Sequence, residues 1–328
     1  MEYIALIILF VIIELIYFKI ADKFNIIDKP NHRSSHTAIT LRGGGIIFPI
    51  AVLVAFILGH ISVFLMAAVV LVALISFIDD VYPLPALPRF LSHLVAVLLL
   101  LYGLNLFWMG FWIIPIAIVL LIGWINAFNF MDGINGITVL YSMVSIATFA
   151  YLYRGSEEFS SLVIMGISGL VFGFFNVRKK AKTFAGDVGS ISMAVFLAYF
   201  MIKLIFEKQQ IGYLLFFSVY GIDAIVTILY RIKNKENILQ PHRTHLYQYK
   251  ANELEWSHTT VSSLYALVQL LINCSVILLI HNGYTSPWVF CILLAGLIVF
   301  YWAIRIKVLK VIEYKKEEES EGFSLNRR

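Results

Sequence analysis

Residues 111–132 read Phe111-Trp112-Ile113-Ile114-Pro115-Ile116-Ala117-Ile118-Val119-Leu120-Leu121-Ile122-Gly123-Trp124-Ile125-Asn126-Ala127-Phe128-Asn129-Phe130-Met131-Asp132. A helix that crosses a bilayer needs ~20 mostly apolar residues, and 111–130 has that length. Polarity enters only at its end. Asn126, Asn129 and Asp132 follow at i, i+3 and i+6, and in a helix such residues point in similar directions and can line one wall of a cavity. Gly133 and Gly136 come next, where a helix can end and a backbone can approach a ligand closely. Amides beside a carboxylate suit a base, a sugar or the shell of a metal ion. Hydrogen bonding between helices, closed by a glycine cap, would use the same residues structurally.

Beyond this stretch, ten more segments have the same apolar character: roughly 3–21, 44–59, 61–78, 90–106, 137–153, 160–176, 189–206, 211–230, 259–280 and 286–305. The second and third form one run broken at Gly59-His60, read as a tight hairpin. Hydrophobic residues make up 60% of 328 and charged residues 14%, against about 45–50% and about 25% in soluble domains. Mean hydropathy is +0.86. A water-soluble globule is excluded, and the runs are too long for the ~10-residue alternating strands of an outer-membrane barrel. The expected fold is all-α and integral to the membrane, a polytopic bundle of about 11 transmembrane helices. It forms one domain over 1–310, followed by a charged tail at 311–328. The first segment follows Glu2 and lacks a small-residue cleavage site, so it reads as a retained helix. Cys274 and Cys291 fall in apolar runs and read as small core residues with no disulfide or metal role.

Orientation follows from Lys and Arg, which concentrate on the cytoplasmic side. Twenty-two of the 25 fall in one set of connections, leaving Arg154, Lys203 and Lys208 opposite. The N-terminus is therefore expected outside and the C-terminus inside. The net charge of +5 is a signature of the inner leaflet, suited to anionic headgroups and phosphorylated substrates, and does not point to nucleic acid.

The helix count puts four further polar clusters on the same cytoplasmic face. Asp79-Asp80 ends the third helix before Tyr82-Pro83-Leu84-Pro85, with Arg89 close enough to pair with either acid. Adjacent carboxylates can hold Mg²⁺ together with waters and substrate phosphates, or one can serve as a base. Asp187 lies in Gly186-Asp187-Val188-Gly189-Ser190, at the start of a helix whose amides favour phosphate; alternatively Asp187 simply caps that helix. His242-Arg243-Thr244-His245 suits contact with phosphate, and lacks the further soft ligand that zinc would need. The first loop holds Arg33, His36 and Arg42-Gly43-Gly44-Gly45, where glycines permit close backbone packing. Asp223, inside the ninth helix, reads either as a partner for Arg231 or as part of the cavity. Acids at a membrane face are costly and mark an ion path or an active site.

In this order, Asp79-Asp80, Asn126-x-x-Asn129-x-x-Asp132-Gly133-x-x-Gly136, Gly186-Asp187-x-Gly189-Ser190 and the late His-containing loop resemble the polyprenyl-phosphate N-acetylhexosamine-1-phosphate transferases. The resemblance covers about 28–250. The late loop lacks the triple histidine of the phospho-MurNAc-pentapeptide branch, and the chain looks more like transferases that initiate O-antigen. The resemblance implies an enzyme of the bacterial inner membrane, its site facing the cytoplasm, that moves an N-acetylhexosamine-1-phosphate from a UDP-sugar to undecaprenyl phosphate and releases UMP. It implies Mg²⁺, with Mn²⁺ as substitute, on Asp187 and Asp80. Asp79 or Asp80 would orient or deprotonate the lipid phosphate. Asn126, Asn129 and Asp132 would hold nucleotide or metal shell, and His242, Arg243 and His245, with Arg42 and His36 nearby, would clamp phosphates or sugar. Partners implied are UDP-N-acetylhexosamine, undecaprenyl phosphate, membrane lipids and a second copy of the chain in a homodimer. Direct attack and a route through an aspartyl phosphate both stay open. The alternatives are a transporter or channel with an acidic relay, which would place acids near the midplane of pseudo-symmetric halves, and an aspartyl protease using Asp80 and Asp187.

Overall fold

The computed structural model describes residues 2–30, 35, 39–108, 110, 112–237, 240 and 242–325. Among these, nine helical stretches are long and apolar enough to cross a membrane, and two shorter apolar helices, Gly44–Ile57 and Ile137–Leu152, complete a set of eleven. The chain runs α1 (Glu2–Lys23), a two-stranded hairpin of β1 (Ile27–Asp28) and β2 (Thr40–Leu41), α2 (Ile47–Ile57), α3 (Val63–Val81), α4 (Ala86–Gly103) and α5 (Ile113–Phe130). It continues with α6 (Ile137–Leu152), α7 (Glu158–Asn176), α8 (Gly186–Lys208), a 3₁₀ stretch Ile211–Phe217 leading into α9 (Ser218–Lys233), the short α10 (Leu246–Gln248), α11 (His258–His281) and α12 (Pro287–Leu325). The protein is an all-α polytopic membrane protein.

α8 is the axis of the bundle. Nearly every side chain from Val188 to Ile202 is buried, and α2, α3, α5 and α6 pack around it. Small residues allow this: a Cβ on Gly189 would sit 2.6 Å from the Cα of Gly45, so two glycine backbones meet where no side chain fits. The outer helices show the reverse pattern. Ile116, Val119 and Leu120 of α5 and Ile292, Val299 and Phe300 of α12 are exposed, which in lipid is the favourable arrangement. Trp108, Trp112 and Trp288 are exposed at or beside helix ends, as expected of rings at a membrane–water boundary.

The 3₁₀ stretch before α9 leaves backbone groups without helical partners, and lipid offers none. Gln269 of α11 supplies them. Its Oε1 accepts from the Val219 amide at 3.0 Å and the Tyr141 hydroxyl at 2.9 Å, and its Nε2 donates to Leu215 O and Asn273 Oδ1. Each bond contributes about 1 kcal/mol, and each partner left unmade would cost about 1–3 kcal/mol.

Three expectations change. α12 does not stop near 305 but runs 39 residues, about 58 Å at 1.5 Å per residue, roughly twice a bilayer's apolar core. The charged tail is thus a continuation of the helix, which its Lys- and Glu-rich composition favours. α8 begins at Gly186, so Asp187 lies in its first turn. Cys274 and Cys291 are exposed on helix surfaces rather than packed in the core.

Candidate active site

The ends of α5 and α7 and the start of α8 meet beneath the loops of one end of the bundle, around a cavity of about 440 Å³, and the end of α3 holds the start of α8 without lining the cavity itself. Asp28, Ser35 and Arg42 line it from the first loop, and Asn129, Asp132 and Asn135 from the segment that ends α5. Asn176, Gly186 and Asp187 contribute from the α7–α8 connection, and His242, Gln248 and His258 from the late loop and the start of α11.

The first loop reaches the cavity through backbone pairing. Leu41 bridges Thr183, and the Phe184 amide donates to Leu41 O at 2.8 Å. Gly44 and Gly45 then donate to the carbonyls of Phe184 and Ala185. This zipper fixes Arg42 beside the start of α8.

Asp80 is the anchor of that start. Its side chain is fully buried; Oδ1 accepts from the Arg42 Nε at 2.8 Å and the Asp187 amide at 3.0 Å, and Oδ2 accepts from the Val188 amide at 3.0 Å. Asp80 of α3, rather than Asp187, therefore caps α8, whose own N-cap position, Ala185, makes no side-chain bond. This geometry does not fit the sequence expectation of Asp80 as metal ligand or base, because both oxygens are engaged and turned away from solvent. Asp187 is left partly open to the cavity, 3.6 Å from the Arg42 guanidinium, with Asp79 as its hydrogen-bonding neighbour. Asp79 also takes the Leu84 amide at 2.6 Å and Arg89 at 3.4 Å, which ties down the Pro-rich turn. Burial works against the charge on Arg42, but the carboxylates of Asp80, Asp187 and Asp28 outweigh it and hold its pKa above the ordinary value. Arg42 thus stays cationic.

Gly186 makes this approach feasible. Its φ is +70°, and a Cβ there would stand 2.5 Å from the Asp80 carboxylate. An L-residue in that conformation costs about 1–2 kcal/mol, before the displaced carboxylate is counted. Gly186→Ala is expected to lose activity at least tenfold, read against a cavity-distant Gly→Ala such as Gly221, where nothing lies within 4 Å.

The polar stripe of α5 divides. Asn129 faces the cavity and accepts from the Ser190 hydroxyl at 2.6 Å. Asp132 lies past the helix end and accepts from the Thr138 hydroxyl. Asn126 turns back and donates to Ile122 O within its own helix at 2.8 Å, so the structure does not bring it to the cavity. Burial raises the Asp132 pKa to about 6, opposed by the Thr138 bond and reinforced by Asp80.

With the folded pKa above the ordinary one of 3.8, the folded state binds the proton more tightly, and stability falls as pH rises through about 4–6. At pH 7 the ionised Asp132 costs on the order of 2–3 kcal/mol. Asp132→Asn should therefore be more heat-stable than the parent at pH 8, with the gap closing toward pH 5. Thermal unfolding in detergent and EDTA reads this; an unchanged or reversed gap contradicts it.

The late loop also divides. His242 lines the cavity, its Nδ1 3.1 Å from the Thr244 hydroxyl. Burial, helped by His245 and Arg231, lowers its pKa to about 4, so its ring is neutral and offers hydrogen bonds rather than charge. Arg243 faces Glu253 at 3.4 Å. His245 is buried against Asp223 at 3.1 Å; the phosphate contact expected of it is replaced by an internal one. His36 lies outside the described residues. Asp28, Asn135, Asn176, Gln248 and His258 also line the cavity, beyond the residues that the sequence motifs mark. Asn135 falls inside the Asp132–Gly136 motif. Asn176, whose Oδ1 accepts from the Gly136 amide at 2.8 Å, has no local signal, because the contact spans 40 positions. Arg231 pairs with Glu236 at 3.0 Å, not with Asp223.

Among the described residues no three His, Cys, Asp or Glu side chains form a ready-made metal cage. Mg²⁺ is bound mainly through one or two carboxylates plus phosphate oxygens and waters. Asp187, which opens on the cavity, and Asp132 and Asn129, which line the same cavity, fit that donor set.

Known proteins share this arrangement of sequence. Residues 61–205 match the family described as glycosyl transferase family 4. A probable undecaprenyl-phosphate N-acetylglucosaminyl 1-phosphate transferase of Bacillus subtilis is 27% identical over 254 residues, 70% of each chain. A phospho-N-acetylmuramoyl-pentapeptide-transferase of Lactococcus lactis is 32% identical over 140 residues, 42% of this chain and 40% of that one. Its counterpart in Enterococcus hirae is 39% identical over 90 residues, 27% of this chain and 28% of that one. The matched stretches thus span less than two thirds of these last two relatives. Over residues 61–205 the chain is thus similar to glycosyl transferase family 4, and its polar clusters resemble those of the polyprenyl-phosphate N-acetylhexosamine-1-phosphate transferases.

Proposed function

We propose that the protein transfers an N-acetylhexosamine-1-phosphate from a UDP-sugar to undecaprenyl phosphate in the bacterial inner membrane, with the cavity facing the cytoplasm. The observation that carries this reading is the pairing of Asp187 and Arg42 at the mouth of α8, together with Asn129 and Asp132, in one cavity at the end of the bundle. A diphosphate needs both a cation and hydrogen-bond donors near its oxygens, and phosphoryl transfer depends on positioning and charge neutralisation more than on covalent help. The excess of Lys and Arg in the loops of that face supports the orientation.

An oxygen of the lipid phosphate attacks the β-phosphorus, the bond from that phosphorus to the bridging oxygen breaks, and UMP departs with the electron pair. The products are undecaprenyl diphospho-sugar and UMP. Mg²⁺ held by Asp187, with Asn129 and Asp132 near it, would neutralise the diphosphate. Arg42 binds the same charge from the other side, while Asp80 holds Arg42 and the first amides of α8 in place. Asp79 stands beside Asp187, where it orients the lipid phosphate. Neutral His242 and Gln248 donate hydrogen bonds from the late loop. The absence of a triple histidine there favours an O-antigen-like product over a peptidoglycan precursor.

Purified protein given undecaprenyl phosphate, Mg²⁺ and a panel of UDP-N-acetyl sugars should release UMP with at least one donor, and only when lipid and metal are both present. Folded protein that releases none with any donor would sink the reading.

A further inference from the structure

Asp223 of α9 is fully buried, and five donors converge on its two oxygens. Oδ1 faces the His245 Nδ1 at 3.1 Å, the Leu246 amide at 3.2 Å, the Thr227 hydroxyl at 3.2 Å and the Tyr301 hydroxyl at 3.0 Å; Oδ2 accepts from Tyr265 at 2.6 Å. A backbone amide can only donate, so this oxygen is an acceptor and the Nδ1 of His245 carries its proton. The other ring nitrogen, Nε2, is buried with no partner in the structure.

Both ends of the histidine segment are tied to this point. The His245 ring lies 5.0 Å from that of His242 and 5.7 Å from that of Tyr247. Its backbone amide donates to Gln248 Oε1 at 3.3 Å, and the Tyr247 hydroxyl reaches Phe130 O at 3.0 Å, across the wall that carries Asp132. His242 and Gln248 are the two members of the segment that line the cavity.

α12 braces the arrangement from behind. Arg305, buried, donates to the Thr227 hydroxyl at 3.1 Å, the Tyr301 hydroxyl at 3.2 Å and Thr244 O at 2.9 Å. Its guanidinium lies 4.9 Å from the Tyr230 ring and 5.5 Å from that of Tyr249. Burying a cation and an acid here is costly unless their contacts are well made. The bundle has spent those contacts on a loop, which argues that the loop's position matters.

We propose that Asp223, braced by Tyr301 and Arg305 of the last helix, is a positioning residue: it fixes the ring proton of His245 and the course of segment 242–248, and so sets where His242 and Gln248 stand in the substrate cavity. Its effect on turnover rests on the transferase reading above. Its effect on the His245 ring does not.

The test uses full-length protein in detergent, with two readouts. Nitrogen NMR of ¹⁵N-histidine protein, assigned through the signal lost in His245→Gln, should show His245 protonated on Nδ1. In Asp223→Ala, which removes that acceptor altogether, His245 should lose its preference for protonation on Nδ1. UMP release by Asp223→Asn should fall about 10–100-fold, the usual effect of removing a group that orients a ligand-bearing side chain. Because Asp223 acts through the segment that carries His242, the double variant Asp223→Asn/His242→Ala should be within about threefold of the worse single variant, since coupled residues are non-additive.

His245→Asn, which keeps a donor toward Asp223, gives a second route to the same comparison if Asp223→Asn does not fold. Penalties that multiply fully would reduce Asp223 to a general stabiliser and overturn the proposal. So would wild-type activity in Asp223→Asn, or a parent His245 protonated on Nε2. A parent that releases no UMP overturns the transferase reading instead, and the ring spectrum still decides the Asp223 arrangement.

Discussion

Asp187→Asn is expected to lower UMP release by about 10³-fold, the scale of several kcal/mol that a charged ligand on a transferring phosphoryl group supplies. Stability should hold or rise, because a neutral amide is no longer repelled by the neighbouring carboxylates of Asp80 and Asp79. The Asp187 carboxylate is partly exposed and its ion pair with Arg42 is long, at 3.6 Å, and such pairs contribute about 0–1 kcal/mol. The backbone amide of Asp187, which Asp80 does hold, survives the substitution. An inactive variant with parental or higher thermal unfolding would therefore place Asp187 in the chemistry. Retained activity would move the metal to another carboxylate, with Asp79 the nearest.

Asp80→Ala should behave differently although the two acids are neighbours. It leaves Arg42 and the amides of Asp187 and Val188 without their acceptor in a buried setting, and breaking such a pair costs about 3–5 kcal/mol. At roughly 2–4 °C per kcal/mol for a chain this large, the unfolding midpoint should drop on the order of 10 °C. Activity should be lost with it, by about 10²-fold or more, because Arg42 and the first turn of α8 lose their registration. Asp80→Asn should fall between parent and Asp80→Ala, since an amide oxygen still accepts at one position. A variant lacking the Asp80 carboxylate that stays as stable as the parent but is inactive would return Asp80 to the reacting groups.

The contrast between these two acids marks how far a sequence can carry a site. Length and apolarity alone specify the helices: residues 111–130 predict α5 closely because ~20 uncharged residues admit few other structures. Even the two short helices, Gly44–Ile57 and Ile137–Leu152, are legible from their apolar runs. Boundaries fail where polar residues favour helix as much as loop, as in the tail that α12 absorbs.

At the site, spacing on one helix gives a shared face, but a face is about 120° wide and the cavity narrower. Asn126 and Asn129 are one turn apart, yet one turns inward on its own helix and the other reaches Ser190. Pair contacts across the bundle leave no local trace. Asp80 capping α8 joins residues 107 positions apart, and Asp223 meeting His245 depends on how α9 and the late loop fold over one another. The Gly-Gly-Gly run can be read as close packing; its partner, the Gly186–Gly189 turn, requires the fold.

Whether the bond is made at phosphorus can be decided by following one labelled atom. Purified protein is given undecaprenyl phosphate, Mg²⁺ and a UDP-N-acetylhexosamine carrying ³²P at the β-phosphorus, and the lipid and aqueous phases are separated. Transfer of the sugar-1-phosphate requires the label to move into the lipid phase as UMP accumulates in equal amount. Label left in the aqueous phase as UDP, with sugar alone on the lipid, would mean transfer at carbon rather than phosphorus. That result would contradict the placing of Asp187 and Arg42 on the diphosphate.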